Sequence, residues 1–277
     1  MTVSQALLDT ATKLDAVSDT ARLDAELLMA HALQVTRSDL LLRHMADPVP
    51  SGFAALIDRR LAHEPVAYII GMQPFFGLDL LVTADVLIPR GDSEVLVERA
   101  LALQPQALRV LDCGTGSGAL LLAVLANLPE ASGVGIDRSL AALTVAAANA
   151  AKAGLASRAA MRHADWDMAG WTEGLAGPFD LILANPPYVE SSADLSPSVR
   201  GHEPAGALFA GDDGLDAYRR LVPQLPVLLA RGGRVLVEIG AAQADAVSAI
   251  ANDAGLAASL HRDLAGRPRV LELVQRQ

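Results

Sequence analysis

The sequence predicts an α/β protein: a seven-stranded, mostly parallel sheet covered by helices, preceded by a small helical bundle and joined to it by a β-hairpin. Three observations carry this. From Arg109 onward, short apolar runs alternate with helix-length segments, the pattern of parallel strands linked by crossovers. Residues 1–72 show only helical periodicity. Between the two lies a stretch with two short strand-like runs around a glycine. The composition agrees, because 52% of the 277 residues are hydrophobic but only 4% are aromatic. Such a core is built from aliphatic side chains and Ala, and Ala and Leu favour helices.

In the front segment Ala6, Leu7, Ala11 and Leu14 share one helical face, and Leu23, Leu27, Ala30 and Leu33 share another. Ser18, Asp19 and Thr20 are good starters for the second helix. A third short helix holds Leu40 to Leu42, and Asp47-Pro48-Val49-Pro50-Ser51-Gly52 breaks the pattern. A fourth spans about 53–63 with Leu56 and Ile57 inward. This bundle shows no chemistry of its own, and the expectation is that it binds a partner. Within 73–89, Pro74-Phe75-Phe76-Gly77 and Leu80-Leu81-Val82-Thr83 read as two strands, with Val86 to Ile88 a third. A helix follows over about 93–103. The alternating region then reads as strands at 109–113, 133–137, 159–163, 180–184 and 234–239. Helices are predicted at 119–128, 140–153, 215–229 and 243–254. A final pair of strands, 258–261 and 270–274, is joined through Arg267-Pro268-Arg269 as an antiparallel hairpin at one edge. The predicted domains are a bundle over 1–72, a hairpin linker over 73–89 and an α/β domain over 90–277.

A net charge of −10 and a pI near 5.0 argue against a protein that grips nucleic acid through its phosphates. Cys113 is the only cysteine, so no internal disulfide can form and a reducing compartment fits. The N-terminus lacks a basic start followed by an apolar signal stretch. The apolar run at 119–126 is too short to span a bilayer. A soluble cytoplasmic protein is expected. The histidines lack metal-ligand spacing, Asp212-Asp213-Gly214 lacks the rest of a calcium loop, and no metal site is expected.

Chemistry concentrates at three strand ends. Gly114-Thr115-Gly116-Ser117-Gly118 lies between a strand and a helix, where glycines let the backbone turn tightly and approach a ligand. The helix start then offers free N–H groups. The spacing is G-x-G-x-G, not the G-x-G-x-x-G of dinucleotide binders. Asp137 ends the next strand, where a carboxylate can accept from a ribose diol; a helix N-cap is the alternative. Asp165-Trp166 follows the third strand and suits an adenine, with the carboxylate on its amine and the indole beside its ring. An ordinary surface turn is the alternative. Asn185-Pro186-Pro187-Tyr188 ends the fourth strand. Pro stops a strand and extends the residue before it, so Asn185 is held stiffly at the edge where α/β sheets bind ligands. A nucleoside laid across the strand ends, with Asn185 facing its reactive end, fits S-adenosylmethionine better than a nicotinamide dinucleotide.

With these motifs in place the chain resembles class I methyltransferases acting on planar nitrogens. More narrowly it resembles the release factor glutamine methyltransferases, the HemK/PrmC family. The matching stretches include Glu64-Pro65 with Tyr68, Ile69 and Gly71, and Leu87-Ile88-Pro89-Arg90 with Glu94. Also matching are the glycine loop, Asn185 to Tyr188, Glu203-Pro204 with Ala207-Leu208, and Asp213-Gly214-Leu215 with Tyr218. Glu238-Ile239-Gly240 with Gln243, and Arg269-Val270, complete the set, which covers nearly the whole chain. Gly91, Ser93, Cys113 and His202 depart from the family pattern, which usually has Pro, Thr, an aliphatic residue and an aromatic there.

The resemblance implies a Rossmann-like methyltransferase domain and S-adenosylmethionine as cofactor, leaving S-adenosylhomocysteine. Gly114, Thr115, Gly116, Ser117 and Gly118 would wrap it, Asp137 would hold its ribose, and Asp165 and Trp166 would lie by its adenine. Asn185, Pro186, Pro187 and Tyr188 would hold the substrate, the glutamine of the Gly-Gly-Gln motif in peptide-chain release factors. Catalysis would rest on Asn185, Pro186 and Tyr188, with the Tyr188 ring packed on the amide plane. The front domain would help bind the release factor; neither a membrane nor direct nucleic-acid binding is expected. Asn-Pro-Pro-Tyr alone does not separate glutamine from an exocyclic amine, so an adenine-N6 or guanine-N2 methyltransferase is the alternative. A nicotinamide dehydrogenase and a non-catalytic binding module are more distant ones.

Overall fold

The computed structural model describes residues 1–276 and divides into two compact units. One comprises residues 1–72 with 195–202, the other the rest of the described chain.

The first unit is built from α1 (Val3–Leu14), α2 (Ala21–Leu33), α3 (Arg37–Arg43), α4 (Phe53–Leu61) and α5 (Val66–Ile70). Side-chain caps start α1 at Thr2 and α3 at Thr36, satisfying N–H groups that a helix start leaves free. The sequence pattern missed α5, a five-residue helix that follows Pro65 and ends at Gly71 with φ 80°. It also misjudged α2. Ala21, Ala25, Leu28 and Met29 are buried, whereas Leu23 is 40% exposed. The cause is polar. Asp24 lies on the inner face, where it accepts from Arg60 Nε (2.8 Å), Ser18 Oγ (2.7 Å) and Thr20 Oγ1 (2.9 Å). A buried charge is tolerated when it is paired and hydrogen-bonded in this way, and apolar periodicity cannot reveal it.

The second unit opens with a hairpin of β1 (Met72–Phe75) and β2 (Leu78–Leu81). Phe76 and Gly77 both have positive φ, 45° and 78°, as the tightest hairpin turns require. The third run expected at 86–88 forms no strand. It leads through a 3₁₀ turn (Gly91–Ser93) into α6 (Glu94–Leu103). Then come β3 (Arg109–Cys113), α7 (Ala119–Asn127), β4 (Ser132–Asp137), α8 (Leu140–Lys152), β5 (Ala159–His163) and β6 (Phe179–Ala184). α9 (Pro197–His202), which belongs to the first unit, and α10 (Asp216–Leu221) precede β7 (Leu229–Glu238), α11 (Ala244–Asp253), β8 (Leu256–Arg262) and β9 (Pro268–Gln275). The helix expected over 215–229 stops at Leu221 and continues as two 3₁₀ turns, because Pro223 and Pro226 lack the N–H that an α-helix needs.

The seven strands run in the order β5-β4-β3-β6-β7-β9-β8. β9 enters between β7 and β8 and is antiparallel to both; all other pairings are parallel. Alternate strand residues face opposite layers. Val110, Leu181, Leu183 and Leu236 pack with α6, α7 and α8, while Leu111, Ile182, Val235 and Val237 pack with α10 and α11. From β3 the chain winds out through β4 and β5, then returns to β6 on the other side of β3. Ligands bind at such a switch point, at the carboxyl ends of the strands. The register there is informative. Ala184 pairs with Cys113 on one side and Val237 on the other, so Gly114, Asn185 and Glu238 follow level with one another.

Candidate active site

A cavity of about 510 Å³ opens at this switch point, a size suited to a nucleotide-like ligand. Gly114 to Ser117, Asp137, Asp165 and Trp166 line one side of it, and Asn185 and Pro187 the other.

On the first side the loop is pinned to β4, since Gly114 N and Thr115 N both donate to the Ile136 carbonyl (2.9 and 2.8 Å). Gly114, Gly116 and Gly118 have φ of 77°, 54° and 83°, a region L-residues rarely adopt. Asp137 Oδ2 accepts from Gly116 N (3.0 Å) and Oδ1 from Ser139 N (2.8 Å). The carboxylate thus braces the loop and the start of α8 together, and its remaining lone pairs are available to a ligand. Trp166 lies against the loop, its ring 3.1 Å from where a Cβ on Gly114 would sit. Asp165 Oδ1 accepts from Asp167 N (3.0 Å), so the surface-turn geometry and the cavity-lining position coexist. Gly118 does not line the cavity. It caps α7, where a Cβ would fall 3.0 Å from Leu122 Cδ1, so its place is one of helix packing.

Beneath the loop Asp112 is buried. Its Oδ2 accepts from Thr115 Oγ1 at 2.7 Å, but its Oδ1 has no partner among the described residues. Burial pushes its pKa up to about 7. A buried carboxyl with one unpaired oxygen thus lies behind the glycine loop, outside the cavity lining itself, where it favours a nearby cationic group. Asn149 was not anticipated. From α8 it donates to Ser117 O (2.9 Å) and Leu81 O (3.0 Å) and accepts from Leu81 N (2.7 Å). It ties the loop to the hairpin, and its only sequence signal was one amide in an Ala-rich helix.

On the second side Pro186 is buried while Asn185 and Pro187 reach the cavity. Asn185 Nδ2 lies 3.5 Å from Ser93 Oγ, and Ser93 itself lines the cavity. Tyr188 differs from expectation. It is not among the lining residues; its hydroxyl points to Glu238 Oε1 at 3.4 Å. A half-buried phenol favours a polar partner, and the carboxyl at the end of β7 supplies one. Burial, then the Glu238 charge, pushes the Tyr188 pKa up to about 12. Glu238 is 1% exposed, and burial raises its pKa as well. Gln243 fixes the turn by donating to Tyr188 O and Gly214 O (both 3.1 Å) and accepting from Gly240 N (3.0 Å). Glu238 and Gln243 stood out in the sequence only as part of the resemblance; Ser93 stood out only as a departure from it.

The PrmC N-terminal domain model matches residues 5–71 and a methyltransferase domain model matches residues 105–255. The release factor glutamine methyltransferase of Cereibacter sphaeroides is 45% identical over 260 residues, covering 91% of each chain. This chain belongs to the release factor glutamine methyltransferase family. The family member from Moorella thermoacetica aligns over the full length of both chains at 42% identity. Among solved structures, a methyltransferase from Pyrococcus furiosus superimposes with a TM-score of 0.51 at 16% identity, covering 79% of this chain and 98% of its own. That likeness bears on the fold alone. Among the described residues no helix is long and apolar enough to cross a membrane, and no group of His, Cys, Asp or Glu could hold a metal ion.

Proposed function

We propose that the protein transfers a methyl group from S-adenosylmethionine to the side-chain amide nitrogen of the glutamine in the Gly-Gly-Gln motif of peptide-chain release factors. One observation carries the reading. Asn185, at the end of β6, shares a single cavity with the glycine loop, Asp137 and Trp166, in a chain 45% identical to a release factor glutamine methyltransferase.

The residues fit the cofactor. The Gly114–Ser117 backbone would cradle its amino-acid end, with the orphaned Asp112 oxygen near its ammonium. Asp137 would accept from the ribose, and Asp165 and Trp166 would take the adenine. When bound, the cofactor supplies an electrophilic methyl on a sulfonium, itself a good leaving group. What remains for the protein is orientation. An amide nitrogen is a poor nucleophile because its lone pair is delocalised into the carbonyl. Asn185 Oδ1 and the Pro186 carbonyl would accept the two amide hydrogens, fix the nitrogen in line and favour the positive charge that develops on it. Pro187 would wall the slot, and Tyr188 would act from behind by fixing the turn. The front unit would contact the release factor.

Mass spectrometry of a Gly-Gly-Gln release factor after incubation with protein and cofactor tests this. A gain of one methyl on that glutamine is expected. Methyl transfer to an adenine or guanine offered in parallel, with the glutamine unmodified, would replace the reading by the nucleic-acid one.

A further inference from the structure

The cavity has a third wall. Residues 203–211 contribute it, with Pro204, Gly206, Ala207, Phe209 and Ala210 among its lining. This wall is tied to the Asn185 side. Buried Glu203 at its start accepts from Ile88 N (3.2 Å) and pairs with Arg90. Further along, Val189 N donates to Leu208 O (2.8 Å) and Ala210 N to Val189 O (2.9 Å), so the wall is bonded to the chain just beyond Tyr188.

From the glycine-loop side the wall is met by a long side chain. Arg138, the residue after the Asp137 carboxylate, donates from Nη2 to Gly206 O at 3.0 Å. Arg138 and Gly206 both line the cavity, and both are exposed to solvent. A residue that faces cavity and solvent at once stands at the rim, so this hydrogen bond crosses the mouth. Two features fit it there. His163 donates through Nε2 to the Arg138 carbonyl (3.0 Å), which steadies the base of the arm. The φ of Gly206 lies outside the left-handed region, so its backbone does not call for glycine. A Cβ there would overlap Arg138 Nη2. The guanidinium reaches the carbonyl because that side chain is absent.

We propose that Arg138 and Gly206 form a latch across the cavity mouth, which opens for the cofactor to enter and for its product to leave. The proposal rests on the cofactor lying in this cavity, the reading given above, and is independent of which acceptor is methylated. The strength of the contact suits the task. One hydrogen bond to a neutral carbonyl at the surface is modest in net worth, so the latch opens spontaneously yet is closed most of the time. Both of its partners are protein groups, so it opposes entry and exit alike. A restraint to which the ligand is indifferent changes both rates and leaves their ratio, the affinity, as it was. Loss of a contact to the ligand itself acts differently, since it speeds exit and weakens affinity.

The test follows S-adenosylhomocysteine binding by stopped-flow tryptophan fluorescence. Trp166 lines the cavity, and the other tryptophan, Trp171, is buried and bonded to Gln224, so Trp166→Phe identifies the signal. Arg138→Met removes the donors and keeps the stem. Gly206→Ala keeps Arg138 and pushes its guanidinium off the carbonyl. Each variant raises the association and dissociation rates together by about threefold to tenfold, the worth of one such bond, while calorimetric affinity stays close to wild type. The double variant is no faster than either single one, because both remove the same contact. Wild-type rates in either folded variant overturn the proposal. So does any result in which one rate moves without the other, which would make Arg138 a ligand contact, and so does a double variant whose effects add. Both positions are exposed and thermal midpoints check the fold; should one variant not fold, the other decides. If the ligand leaves Trp166 emission unchanged in wild type, the placement of the cofactor fails and the latch falls with it. That failure is distinct, because it is read before any variant is made.

Discussion

Two buried carboxylates stand behind the two halves of the cavity, and they are built differently. Asp112 at the end of β3 is bonded to Thr115, three residues on. Glu238 at the end of β7 meets Tyr188, fifty residues back. The glycine-loop half is nearly self-contained, its loop and the Asp137 and Asn149 braces coming from one β-α-β-α stretch between Arg109 and Lys152. The Asn185 half is assembled from the turn before α6, the end of β6 and the end of β7. Damage to the first half should appear in cofactor binding or local stability. Damage to the second should appear in turnover.

The strongest test of that division is Asn185→Ala. Loss of a group that meets charge developing in the transition state costs roughly 10²- to 10³-fold in kcat, and calorimetry should find cofactor affinity little changed. A variant that turns over normally would remove Asn185 from the reaction. Asp137→Ala should do the reverse, weakening cofactor binding by about tenfold to a hundredfold and touching saturated kcat less. Its carboxylate also braces Gly116 and Ser139, so Asp137→Asn, which keeps an acceptor, should fall between. Unchanged affinity in Asp137→Ala would count against the ribose role. Gly118→Ala should cost about 1–3 kcal/mol of stability in denaturant melts, because φ is 83° and the new Cβ meets Leu122. A neutral Gly118→Ala would refute that packing role.

A pH-dependent effect concerns Asp112. Its folded pKa is raised to about 7 from 3.8, chiefly by burial. Between those values the folded state keeps a proton that the unfolded chain has lost. Stability without cofactor therefore falls as pH rises from about 4 to 7, and the loss persists above. Asp112→Asn removes this slope. It should be more stable than wild type at pH 8 and equal near pH 4. Equal melts at both pH values would mean that burial does not hold a proton on Asp112.

Much of this architecture was legible beforehand. Strand and helix alternation from Arg109, the glycine loop, and Asn-Pro-Pro-Tyr at a strand end are local signals, each written in a few adjacent residues. The cavity does gather Gly114 to Ser117, Asp137, Asp165, Trp166, Asn185 and Pro187. Gly118 and Tyr188 stand outside it for reasons that are not local: Leu122 packs where a Cβ on Gly118 would point, and Glu238 draws the phenol away. The inner face of α2 was misread because Asp24 is buried against Arg60, thirty-six residues ahead.

The sequence by itself determined the period of each segment, the turns that end it and the residue types at each strand end, because propensity, periodicity and proline or glycine geometry act over a few residues. Only the tertiary structure decided that β9 slips between β7 and β8, that β6 lies between β3 and β7, and hence that Asn185 faces Ser93 and Tyr188 faces Glu238. Strand order and register are settled by packing across the whole sheet. A contact between residues 188 and 238 has no signature in either neighbourhood until that sheet has formed.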